Sequence, residues 1–137
     1  MKNPSMITCL AVFLALFATA LPAKDDNPMD YQWTIAVDGK SASAGKIVLK
    51  LTSAPNEDGT TSDPVEMENM VAAKTKQGDL QKTLLNNVRA ALGDERYQIK
   101  KQGSDRVYIK AKKGTPWFLL ELTNNTVKGV AVTLTKK

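Results

Sequence analysis

The sequence predicts an α+β domain: an antiparallel β-sheet with one amphipathic helix, at about 79–92, packed on one face. Three observations carry this. Apolar and polar residues alternate over 31–37, 46–52, 97–99, 107–111 and 130–134, the two-residue period of strands with one buried face. Over 80–92 the period becomes helical, with Leu80, Leu84, Val88 and Leu92 on one stripe and Leu85 and Ala91 beside it. Short turns rich in Gly, Asn and Asp separate the strands.

The elements follow in order. Tyr31, Trp33, Ile35 and Val37 form the buried face of the first strand. Asp38-Gly39 turns the chain, and the small residues 41–45 extend the turn. Ile47, Leu49 and Leu51 mark a second strand, which is expected to pair with the first as an antiparallel hairpin. Residues 53–64, rich in Pro, Gly, Asp and Thr, read as an exposed loop. Residues 65–77 admit two readings. Asp63-Pro64-Val65-Glu66 has the composition of a helix start, whereas 70–76 reads as extended. The extended reading is preferred. Asp79 is the expected N-cap of the helix, and Gly93 its stop. Tyr97 and Ile99 begin a strand that turns at 102–105 and returns through Val107, Ile109 and Ala111. Lys113-Gly114-Thr115-Pro116 breaks it, since proline donates nothing to a ladder. Trp117–Leu122 is almost continuously apolar and is expected to be a central strand. Asn124-Asn125 turns into a last strand through Val130, Val132 and Leu134.

The first 23 residues stand apart. Lys2 precedes an apolar run from Met6 to Ala18, which is shorter than the roughly 20 residues a membrane span takes. Small residues follow at Ala18-Thr19-Ala20 and Leu21-Pro22-Ala23. This is the layout of a secretory signal peptide, cleaved after Ala20 or Ala23. Residues 24–30 read as a loose polar leader, and 31–137 as a single domain. The expected location is periplasmic or secreted, with no transmembrane segment after signal removal. The single cysteine, Cys9, lies in the apolar run, so the mature chain is cysteine-free. Disulfides and thiolate chemistry are thereby excluded. Hydrophobic residues make up 42% of the 137, enough for a core, but aromatics only 6%, so that core rests on Val, Ile and Leu.

The chain has no histidine. Ser-His-Asp and Cys-His catalysis and histidine metal sites are ruled out. Ser41, Ser43 and Ser104 have lysines nearby in sequence, but their positions are those of turn residues. The carboxylate pairs Glu66/Glu68 and Asp94/Glu95 read as solvated surface. Asn56-Glu57-Asp58-Gly59 resembles the middle of a calcium loop, but Ala54 and Val65 stand where its end ligands belong. Neither a catalytic residue, a metal site nor a cofactor is expected.

Charge is the one positive signal. Residues 24–79 carry 6 Lys and Arg against 10 Asp and Glu, while 80–137 carry 12 against 4. Such asymmetry implies one electropositive surface. If Tyr97, Ile99, Val107 and Ile109 face the core, then Gln98, Lys100, Arg106, Tyr108, Lys110 and Lys112 face out. The candidate binding residues are Lys100, Arg106, Tyr108, Lys110 and Lys112. Their partner is expected to be a protein or an acidic cell-surface component. Export argues against nucleic acid. The competing reading is a lysine face that only solubilises the sheet and protects its edge.

One stretch carries a resemblance. Gly78-Asp79, the helix from Leu80 to Leu92, the strands at 97–99 and 107–111, and Lys113-Gly114-Thr115-Pro116-Trp117-Phe118 follow one another. With the upstream strands, this order resembles the small β-β-α-β-β modules of phage virion structural proteins, flagellin and flagellar-hook insertions and bacterial adhesins. The chain differs in having one copy, a long insertion at 53–69 and a more basic character. The resemblance implies a structural or interaction module without catalytic residues. The expected function is therefore an exported, non-enzymatic binding or assembly module. The alternative is a periplasmic inhibitor or immunity protein acting on a toxin or hydrolase.

Overall fold

The computed structural model describes residues 27–137. The signal-peptide segment and residues 24–26 of the leader lie outside the described residues. The chain forms β1 (Gln32–Gly39), β2 (Gly45–Ser53), β3 (Val65–Val71), α1 (Gln77–Leu92), β4 (Tyr97–Gln102), β5 (Arg106–Ala111), β6 (Phe118–Asn125) and β7 (Val130–Lys136). The α+β class matches the expectation, as does the single helix among the described residues. The strands, however, divide between two antiparallel sheets, in the orders β4-β5-β1-β7 and β3-β2-β6.

The expected hairpin of the first two strands does not form. β1 pairs with β5 and β7, and β2 with β3 and β6. Each is central in its own sheet, so each buries its alternate apolar residues: Trp33, Ile35 and Val37 from β1, and Ile47, Leu49 and Leu51 from β2. Two strongly apolar strands gain more by facing each other through a core than by lying side by side. The connection 40–44 crosses between the sheets. There Ser41 is buried, its Oγ donating to the Ala72 carbonyl at 2.6 Å and accepting the Thr75 N–H at 2.7 Å.

β6 is an edge strand rather than a central one. Phe118 and Leu120 point into the core, but Trp117 is 48% and Leu122 36% exposed. An unbroken apolar run does not distinguish a strand covered on both faces from one at the seam between two sheets. The leader is more ordered than expected: Asp30 exchanges both backbone hydrogen bonds with Phe118, at 3.0 and 2.9 Å.

α1 packs against β3 and β4, and also touches β1 and β5, so it spans both sheets. Leu80, Leu84 and Val88 are its buried stripe. The helix begins earlier than Asp79. Lys76 occupies the N-cap position without a side-chain cap, and Asp79 falls in the first turn, where its charge suits the helix dipole. Gly93 ends the helix at φ 77°, in the left-handed region that glycine tolerates. The extended reading ahead of the helix holds, but the strand covers Val65–Val71 rather than 70–76.

Two buried amides position the helix. Asn69 on β3 donates to the Ile47 carbonyl at 3.0 Å and accepts from Asn87 of α1 at 2.9 Å. Gln81 of α1 donates to the carbonyls of Gly103 and Arg106 at 3.1 and 2.7 Å, tying the helix to the β4–β5 turn. Among the described residues, no buried side-chain polar atom lacks a partner. Trp33 completes the core, its indole N–H donating to the Phe118 carbonyl at 2.9 Å.

Candidate binding surface

The outer face of the β4-β5-β1-β7 sheet follows from strand alternation and register. Lys100 stands opposite Tyr108, which pairs with Thr34, which pairs in turn with Thr135. The adjacent row runs Gln98, Lys110, Gln32, with the Lys137 N–H donating to the Gln32 carbonyl. The next row the other way is Gln102, Arg106, Ala36 and Thr133. Rows on one face repeat about every 6.8 Å and strands about every 4.8 Å, so cations are spread over the sheet rather than clustered.

The sequence-predicted residues divide. Lys100, Arg106, Tyr108 and Lys110 share this face. The Lys100 ammonium lies 5.0 Å from the centre of the Tyr108 ring, within cation–π range. Arg106 pairs loosely with Asp105 at 3.8 Å, in a solvated setting where such a pair contributes little. Lys112 lies beyond the end of β5, and its ammonium donates to the Asp94 carbonyl in the α1–β4 connection. That bond ties its ammonium to the α1–β4 connection.

The structure adds members that the sequence did not suggest. Tyr31 lies beneath two lysines, with the Lys110 and Lys137 ammoniums at 6.0 and 5.5 Å from its ring centre. The exposed Trp117 ring leans on Tyr31, centroids 6.1 Å apart at 47°. Lys137 is held above the ordinary lysine range, first by a hydrogen bond to the Tyr31 side chain and then by the charge of that phenol. Next to this cluster, Thr34, Ala36, Arg106, Thr133 and Thr135 line a shallow depression of about 390 Å³. None of this was legible while β1 was expected to pair with β2, because β1 is what joins the basic hairpin to the C-terminal strand.

The outer face of the other sheet is different. Lys46 pairs with Glu68 at 3.5 Å, and Lys50 stands in register between Glu66 and Glu121. Its charges alternate and cancel. On the first sheet, Asp38 lies at one end of β1 and Asp30, whose charge acts on Lys137, just before the other, with Asp105 in the adjoining turn.

Comparison with family models, with curated proteins and with solved structures gives no match. The surface is therefore read on its own chemistry. No group of acidic or sulfur ligands suited to a metal occurs among the described residues. Ser41, the most buried of the candidate serines, has its hydroxyl engaged by two backbone groups rather than by a lysine. No described helix is long and apolar enough to cross a membrane.

Proposed function

We propose that this protein is an exported, non-enzymatic binding module that engages an acidic cell-surface component through the outer face of its four-stranded sheet. The carrying observation is the contrast between the two outer faces. One interleaves Lys46 and Lys50 with Glu66, Glu68 and Glu121. The other carries Lys100, Arg106, Lys110 and Lys137, with its carboxylates, Asp30, Asp38 and Asp105, only at the ends of β1 and in the β4–β5 turn. A face that served solubility alone would not need its charge segregated, and a net positive field spread over one face attracts an extended anionic partner. Aromatic rings under three of the ammoniums favour the same reading, because they order the cations without neutralising them. The N-terminal sequence pattern supports export.

The test is a triple reversal, Lys100→Glu, Arg106→Glu and Lys110→Glu, scored by retention on isolated cell envelopes. Retention should fall at least about tenfold and the wild type's salt sensitivity should disappear. A control reversal of Lys74 and Lys76, which precede α1, should leave retention unchanged. Equal retention of the folded triple variant and the wild type would remove this face from consideration.

A further inference from the structure

The ligand's chemistry can be taken further, on the strength of the basic-face reading above. Charge alone does not account for two features of the face. The first is the ring pair. Trp117 is 48% exposed and leans on Tyr31, whose ring lies under Lys110 and Lys137. An exposed indole presents a broad apolar surface that a core would normally claim. The second is the depression, lined by three threonines, an alanine and Arg106. Its hydroxyls both donate and accept hydrogen bonds. It offers no large apolar wall of the kind that receives peptide side chains.

Apolar ring faces, hydroxyls and spaced cations match one class of ligand feature by feature. Pyranose rings offer C–H faces to an indole, hydroxyls to threonine, and, where oxidised to uronates, carboxylates to lysine and arginine. We infer that the surface running from Trp117 and Tyr31, past Lys110 and Lys137, to the threonine-lined depression binds an acidic polysaccharide of the uronate type. Charge spread along β5 suits this ligand. Lys110 and Arg106 are four residues apart, roughly 13 Å along the strand, so they contact separate sugars of one chain rather than a single group.

The test measures affinity for polygalacturonate, neutral dextran and an oligothymidylate at one salt concentration. The variants are Trp117→Ala, Trp117→Phe and the pair Lys110→Glu with Lys137→Glu, each checked for fold by circular dichroism. Polygalacturonate should bind and dextran should not. Trp117→Ala should weaken polygalacturonate binding about tenfold, with Trp117→Phe largely restoring it. The lysine pair should weaken it at least as much. If Trp117→Ala binds normally while the lysine pair does not, or if the oligothymidylate binds more tightly than polygalacturonate, the polysaccharide inference fails and the basic-face reading stands. If the lysine reversals also change nothing, both fail.

Discussion

Replacing Asn69 by alanine should loosen the helix from the sheet, by an amount the structure allows one to work out. Asn69 is fully buried on the inner side of β3. Its amide donates to the Ile47 carbonyl at 3.0 Å, and its oxygen accepts from Asn87 of α1 at 2.9 Å. A third contact, to the Met67 carbonyl at 3.4 Å, is too long to add much. Two hydrogen bonds at about 1 kcal/mol each give about 2 kcal/mol, and the Asn87 amide, losing its Asn69 acceptor, adds about 1 more. The expected loss is about 3 kcal/mol, or roughly 12 °C in Tm for a domain of this size. Urea unfolding of Asn69→Ala, Asn87→Ala and the double variant checks both the size and the origin. Asn87 is only half-buried, so its own loss should cost about 1–2 kcal/mol, chiefly by orphaning the Asn69 oxygen. The double variant should be less destabilised than the sum of the singles, by about 1 kcal/mol. A loss under about 0.5 kcal/mol for Asn69→Ala, or strict additivity of the pair, would refute the argument that this amide pair fastens α1 to β3.

Other outcomes follow from the same physics. Gly39→Ala should destabilise by at least about 2 kcal/mol in urea unfolding, because φ is 101° there and a Cβ would collide with the Gly129 carbonyl oxygen. Ser41→Ala should cost about 2 kcal/mol, since its hydroxyl joins the 40–44 and 72–75 connections through two backbone bonds. The Asp58 carboxyl should titrate below its ordinary 3.8, because the Thr60 hydroxyl and then the Thr60 N–H hydrogen-bond its charged form. That depressed value favours the folded loop above pH 3.8, an advantage lost as pH falls through the lower folded-state value. Thr60→Val should raise the Asp58 midpoint towards 3.8 in an NMR titration, and an unmoved midpoint would show that the hydroxyl is not the cause.

The sequence by itself determined the local elements. Strand alternation, the Leu80–Leu84–Val88 stripe, the stop at Gly93 and the exposed 54–64 loop are set by side-chain period and backbone preference within a few residues. It also determined that Lys100, Arg106, Tyr108 and Lys110 share a face, since a tight β4–β5 hairpin fixes their register locally. Only the tertiary structure decided the rest. Which strands neighbour β1 depends on long-range pairing, where burial of Trp33, Ile35 and Val37 in the shared core outweighs proximity along the chain. The same holds for β6, whose apolar run reads as central but lies at an edge. The binding surface inherits that division. Its lysines were visible in one hairpin, whereas Tyr31, Trp117, Thr135 and Lys137 join them only because β1 lies between β5 and β7. Lys112 shows another side of this: strand alternation places it with the other cations, but its ammonium is engaged by the Asp94 carbonyl of the α1–β4 connection. Period sets which way a side chain points from its own strand, while the company it keeps is set by packing across the whole chain.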